Sequence, residues 1–218
     1  MNQDIYRKLR DRIIYLEYEP GQILKEQALA TEFGVSRTPL RTVLFRLEWE
    51  HLVKILPRTG ILVAELELKT ITNVFQARLE LEAVLGSMAA ERFTKVHFDR
   101  LDALILACEQ QFDHKDPRAL AELDMGVKHL FYEAAGNPFL TEMSDRLYSL
   151  TFRLWYFNML KMHNEQWNVE VSSLKEDLLA LVKLLGSGRP ETVGRARKDH
   201  LLKHLKRIRS TFLGLSDF

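Results

Sequence analysis

The chain has 218 residues, 46% of them hydrophobic and 28% charged, with a formal net charge of +1 and one cysteine. That supplies a core for one large domain or two small ones. Near-neutral charge excludes a wholly basic nucleic-acid coat, so any charge that meets a duplex must be local. Cys108, standing alone, excludes an internal disulfide framework and suits a reducing compartment. Asp4, Arg7 and Lys8 interrupt the start, where a secretory leader would be apolar, and the apolar stretch around 150–160 is broken by Arg153 and Asn158 and too short for a bilayer. A cytoplasmic protein with no membrane partner is expected.

In chain order, Ile5, Leu9, Ile13 and Leu16 form a helical stripe over 4–16, with Arg7, Lys8, Arg10 and Arg12 mostly off it, closed by the turn residues Glu19-Pro20-Gly21. After a short apolar piece, Ile23-Leu24, a second helix is predicted over 26–33 with Leu29, Ala30 and Phe33 inward and Gly34 as its C-cap. Ser36 is a suitable N-cap for a third helix, with Pro39 tolerated in its first turn, and Leu40, Val43, Leu44 and Leu47 fall on one face. Two helices with a tight Gly-containing connection have helix-turn-helix spacing.

The other face of that third helix opens with Arg37, Thr38 and Arg41. Cations at a positive helix end are locally unfavourable, a cost that makes sense if phosphates arrive there. Val53–Leu56 and Ile61–Ala64 read as short strands joined by a four-residue loop, 57–60. A hairpin directly after such a helix is a wing, with Arg58 and Thr59 at its tip and Gly60 allowing close backbone approach to a phosphate or minor groove. Phe45 and Trp49, one turn apart on the outer side, either mark a domain or subunit contact or pack on the first helix.

From Glu65 the pattern changes to long amphipathic helices near 69–92, 97–112, 117–135, 138–161, 169–185 and 190–212, separated by brief turns. The expected fold is mainly α: an N-terminal winged helix-turn-helix over 1–66 and a C-terminal antiparallel all-α bundle over 67–218. Basic residues of the last helix, among them Arg195, Arg197 and Lys198, read as solvated surface.

The first sixty-odd residues closely resemble the winged-helix domain of GntR-family transcription regulators. The matching residues are Pro20-Gly21, Leu24, Leu29-Ala30, Phe33 through Arg41, Leu44, Arg46-Leu47-Glu48, Leu52-Val53 and Arg58-Thr59-Gly60, with His51 departing from the family's usual Gly. The resemblance implies DNA contacts from Lys25, Ser36, Arg37, Thr38, Arg41, Arg58, Thr59 and Gly60. An Arg at this end can take guanine O6 and N7 bidentately, and Thr can reach a phosphate or a base edge.

The remainder resembles the FCD effector domain of the family's FadR branch, on Arg78-Leu79-Glu80-Leu81-Glu82 followed by Ala89-Ala90, Asp124 before Ala134-Ala135-Gly136-Asn137-Pro138, and the helix carrying His200. Six bundle helices resemble the VanR-like subgroup. Many such domains hold a divalent metal with one Asp and three His, and a carboxylate effector binds that metal. Asp124 and His200 match two of the ligands, whereas Lys128 and a residue near Asp177 or Leu178 stand where His is expected. His129 points away from the face Asp124 shares with position 128. The expectation is that no metal cofactor is needed: Lys128, as the i+4 partner of Asp124, supplies the positive charge, and Arg78, Asp124, Lys128, Tyr156 and His200 form the effector site. If a metal is present, Asp124 and His200 are its candidates. Arg78 has a second reading, as a structural partner of Glu82, and the aromatic run Phe152, Trp155, Tyr156, Phe157 has a second reading as core.

The leading expectation is a homodimeric, ligand-responsive regulator, by default a repressor, binding double-stranded operator DNA and released by a small carboxylate. One alternative is an enzyme using Asp124, Lys128, His129 and His200. No nucleophile-and-base pair or Gly-rich phosphate loop supports it, and no catalytic residue is assigned. Another is a DNA-binding protein with a purely structural bundle.

Overall fold

A computed structural model of the chain describes residues 2–213. The described chain separates into two compact units, 2–72 with Ser149–Leu154, and 73–148 with 155–213. No described helix is long and apolar enough to cross a membrane.

In the N-terminal unit, helix α1 (Asn2–Ile14) buries Ile5, Leu9 and Ile13 and packs against α3. It stops two residues before the predicted end because Leu16 adopts a left-handed conformation (φ 59°), and Glu17 N–H closes the turn onto Arg12 O at 2.8 Å. Helix α2 (Glu26–Glu32) ends as its sequence predicts: Gly34 is left-handed (φ 62°), and Val35 N–H reaches Ala30 O at 3.0 Å. Helix α3 (Arg37–Trp49) buries Leu40, Val43, Leu44 and Leu47. Each such side chain contributes about 1.5–3 kcal/mol on leaving water, which is what fixes this face inward.

Strands β1 (Ile23–Leu24), β2 (Val53–Leu56) and β3 (Gly60–Val63) form an antiparallel sheet in the order β1-β3-β2. Leu56 pairs with Gly60, so the wing loop is three residues, Pro57 to Thr59, rather than four. Gly60 has φ 143°, and a Cβ there would lie 2.5 Å from Leu24 O. Glycine is therefore required by the crossing of β1. That gives it a role in the sheet independent of any phosphate.

His51 occupies the left-handed position (φ 61°) that ends α3, with Leu52 N–H returning to Leu47 O at 2.9 Å. This is the conformation for which glycine is favoured, and a side chain there costs on the order of 1 kcal/mol. His51→Gly is expected to raise unfolding free energy by about 0.5–1 kcal/mol once glycine's greater unfolded-state freedom is discounted. Urea denaturation of the full chain checks this.

The second unit is helical. Its helices are α4 (Leu68–Ala90), which begins in the first unit, then α5 (Lys95–Glu109), followed by a 3-10 turn (Gln110–Phe112), α6 (Pro117–Ala135), α7 (Pro138–Lys161), α8 (Asn164–Gly186) and α9 (Pro190–Leu213). Asp116 caps α6 by accepting from Arg118 and Ala119 N–H, Asn137 caps α7 through Leu140 N–H, and Pro follows each at the first helical position. Helix α8 starts five residues before the sequence-based estimate. His163 and Gln166 form a reciprocal cap there, so residues that read as a break begin the helix.

Helices α4 and α9 cross at glycines. A Cβ on Gly194 would lie 2.4 Å from Ala83 O, and one on Gly86 would lie 3.1 Å from Gly194 Cα. This close approach brings Arg197, one turn beyond Gly194, to Glu82 of α4.

Helix α7 serves both units. Its residues Ser149–Leu154 belong to the N-terminal unit, where Arg10 Nη2 donates to Ser149 Oγ at 2.5 Å and Tyr15 meets the Phe152 ring edge-on at 5.5 Å.

Candidate functional site

At the start of α3, Arg37 Nε and Nη2 donate to Gln27 Oε1 at 3.2 and 2.6 Å, and Arg41 Nε and Nη2 donate to the two Glu26 carboxylate oxygens at 2.9 and 3.2 Å. All four side chains lie toward solvent, so these are weak, exchangeable contacts. Ser36 holds the N-cap position in extended conformation, but its hydroxyl makes no cap hydrogen bond, contrary to the capping role expected of it. Thr38 is exposed beside it.

The wing is tied to this helix end through two consecutive residues of the chain. Lys25 Nζ donates to Thr59 O at 2.8 Å, while its neighbour Glu26 holds Arg41. Arg58 stands exposed at the loop tip with φ 65°. Hence Lys25, Ser36, Arg37, Thr38, Arg41, Arg58, Thr59 and Gly60 belong to one linked surface built on α3, the start of α2 and the wing. Phe45 and Trp49 are 59% and 60% exposed, which leaves most of each ring off the first helix.

Inside the helical unit, α4, α6, α7 and α9 converge on a buried polar cluster. Glu82, 2% exposed, accepts from Tyr132 Oη (2.6 Å), Ser144 Oγ (2.8 Å) and Arg197 Nη2 (2.6 Å), and Arg78 Nη2 lies 3.9 Å away. Burial opposes the Glu82 charge more than any single partner supports it. Arg197, Arg78 and the hydrogen bonds from Tyr132 and Arg197 together outweigh burial and hold its pKa down at about 2. The same surroundings, burial first and then the Glu82 charge, push the Tyr132 phenol well up. Arg197 Nε is buried and meets no acceptor among the described residues.

Lys128 is buried at 3% exposure, with its ammonium 4.0 Å from the Tyr148 ring centroid and 5.4 Å from that of Tyr132. Its ion-pair partner is Asp145 of α7, not Asp124 as the i+4 spacing suggested. Asp124 instead accepts from Tyr148 Oη at 2.7 Å. Tertiary partners on α7 therefore win over the neighbour on the same helix. Burial first, and then the Asp124 charge, drive the Tyr148 phenol strongly upward. Arg78 lies against Tyr148 at 5.0 Å from its centroid, while Tyr156 is buried further along α7.

His200 is placed elsewhere. Its Nδ1 is 2.6 Å from Asp177 Oδ2, so a carboxylate occupies the region where a further His ligand was expected. Beside it, Glu170 holds Arg207 (2.9 Å), Trp155 Nε1 (2.9 Å) and half-buried His204 (3.5 Å). Burial lowers the His204 pKa despite that carboxylate, favouring the neutral ring.

Asp124 is engaged by a phenol, an ammonium stands at 128, His200 is turned to Asp177, and no group of three or more metal-binding side chains converges among the described residues. Sequence reasoning missed Tyr132, Ser144, Asp145, Tyr148 and Arg197. Tyr132 was reachable, since Asp124, Lys128 and Tyr132 repeat every four positions on α6. Arg197 was not, because only the glycine crossing turns it inward from a run of surface cations.

A winged helix-turn-helix with a cationic helix start, joined to a bundle that encloses a polar cluster, defines a DNA-binding regulator with a ligand-type domain. Residues 1–63 match the bacterial regulatory proteins of the gntR family and residues 73–203 match the FCD domain, so the chain belongs to the GntR family of transcription regulators. Its FCD domain is of the ligand-binding kind, and the family is one of regulators rather than enzymes.

The chain is 27% identical over 225 residues to the HTH-type transcriptional repressor GlaR of Escherichia coli K12, covering 97% of each. It is 43% identical over 89 residues to an uncharacterized HTH-type regulator in an unstable DNA locus of Streptomyces ambofaciens, a match spanning 40% of this chain and 36% of that one. The solved E. coli McbR/YncC structure shares the fold, with a TM-score of 0.83 at 18% identity over 97% of this chain and 98% of that chain.

Proposed function

We propose that the protein is a cytoplasmic, homodimeric repressor that grips a palindromic operator with two winged helices about one DNA turn apart and leaves it when a small carboxylate binds the helical unit. Repression follows the similarity to GlaR, a transcriptional repressor. Arg37, Thr38 and Arg41 would read base edges or phosphates, with Lys25, Ser36, Arg58 and Thr59 on the backbone and Gly60 keeping the wing close.

The observation that supports the carboxylate most directly is the buried Lys128 ammonium, whose ion-pair partner Asp145 is itself 39% exposed. An incoming carboxylate can take the ammonium while Asp145 returns to water. Arg78 and the unsatisfied Arg197 Nε supply further donors, and Asp124 orients Tyr148 alongside. This cation takes the place of the metal, and neither His200, paired with Asp177, nor Tyr156, buried further along α7, is among the groups that receive the acid. The acid must favour one arrangement of the protein over the other to change operator affinity.

Thermal shift of the full chain against a panel of small carboxylates tests the reading. At least one acid is expected to raise the melting temperature, chelator treatment to leave that response unchanged, and Lys128→Met to abolish it. Stoichiometric bound metal, or a response lost on chelation, contradicts it.

A further inference from the structure

The N-terminal unit contains a cavity of about 470 Å³, within the range of small-molecule sites. None of the side chains assigned to DNA borders it. Apolar walls come from Val53 and Leu62 of the wing strands and Leu150 of α7, with Arg153 alongside and the chain after β3 at the rim. Arg153 is 1% exposed and has no carboxylate partner among the described residues: Nη2 donates to Ala64 O at 2.6 Å, and Nε meets no acceptor there. Burial lowers its pKa to about 10, which leaves it charged at neutral pH.

A guanidinium out of water with neither counter-charge nor a full set of acceptors is costly. Tethering Ala64 would need only one of its nitrogens, so the fold itself does not account for the charge. At the rim stand two exposed carboxylates, Glu65 and Glu67, the latter accepting from Thr70 Oγ1 at 3.0 Å. Glu48, a third acid on the lining, is already engaged by Ile55 N–H at 2.7 Å. The site thus has one buried cation, acids at its mouth beside the exposed Lys54 and His51, and hydrocarbon from the wing strands and α7.

We propose that this cavity binds a small zwitterion of the apolar α-amino-acid type, its carboxylate on Arg153 and its ammonium toward Glu65 and Glu67. A lone anion would meet the rim acids and a lone cation would meet Arg153, so only a molecule carrying both charges is matched throughout. The walls include the strands that carry the wing tip, so occupancy steadies the wing. Every wall belongs to the N-terminal unit, which separates this site from the carboxylate site proposed for the helical unit.

Isothermal titration of the full chain with L-leucine, 4-methylpentanoate and 3-methylbutylamine is the test. L-leucine is expected to bind about ten-fold or more tighter than either singly charged analogue. Arg153→Met should remove that binding, the paired exposed changes Glu65→Gln and Glu67→Gln should erase the preference over 4-methylpentanoate, and Lys128→Met should leave it intact. Equal binding of leucine and 4-methylpentanoate, or leucine binding that survives Arg153→Met, overturns the proposal. So does leucine binding that disappears in Lys128→Met. If Arg153→Met does not fold, the rim pair decides alone.

Discussion

Glu82→Gln is expected to lower the unfolding free energy by about 3–5 kcal/mol, the largest loss from any single side chain in the helical unit, read from urea denaturation. The amide keeps the shape and can still accept from Tyr132 and Ser144. It leaves Arg78 and Arg197, both buried, without the charge they share. The pH dependence follows with a definite sign. Glu82 has a folded pKa of about 2 against 4.5 for the free group, so its contribution is complete above 4.5 and disappears as pH falls from there toward 2. That contribution is on the order of 3 kcal/mol, and the variant should lose this part of the acid transition. A variant whose stability and acid limb match the parent would show that the arginines are balanced by something other than Glu82.

Arg41→Ala is expected to weaken operator binding by about 1–3 kcal/mol and to relax preference at one base position, if the guanidinium reads a guanine. In the free protein Arg41 is held by Glu26, a surface pair worth about 0–1 kcal/mol, so the base contact outweighs what is given up. Glu26→Gln should therefore tighten binding, since it frees Arg41 and removes a negative charge near the phosphates. Lys25→Ala should act differently, weakening all sequences alike and reducing the salt slope by about 1. Fluorescence anisotropy across a salt series separates the three outcomes.

Much of this was legible in the sequence because local chemistry decided it. The four buried leucine and valine positions of α3 follow from 3.6-residue periodicity, while Gly34 marks a helix end by its left-handed φ and Asp116 and Asn137 by their side-chain caps. Errors arose where a residue acted against its type or where distant chain intervened. Leu16 and His51 take a backbone region usually left to glycine. Lys128 found Asp145, seventeen residues away, instead of its helical neighbour. Arg153 interrupts an apolar run and reads as a membrane-excluding charge, yet it is buried in the N-terminal unit through a six-residue part of α7 that no periodicity announces. Two of the three histidines of the expected metal set are absent from the sequence; Lys128 stands at one place and pairs with Asp145, and Asp177 stands near the other and faces His200.

Hydroxyl-radical footprinting of the full chain on the DNA upstream of its own coding sequence tests the central claim most directly. Two protected patches about one helical turn apart are expected, fading when Arg37 and Arg41 are both replaced by Ala and when the acid found by thermal shift is added. Protection that is unchanged in the double variant would contradict the assignment of α3 as the element that grips the duplex.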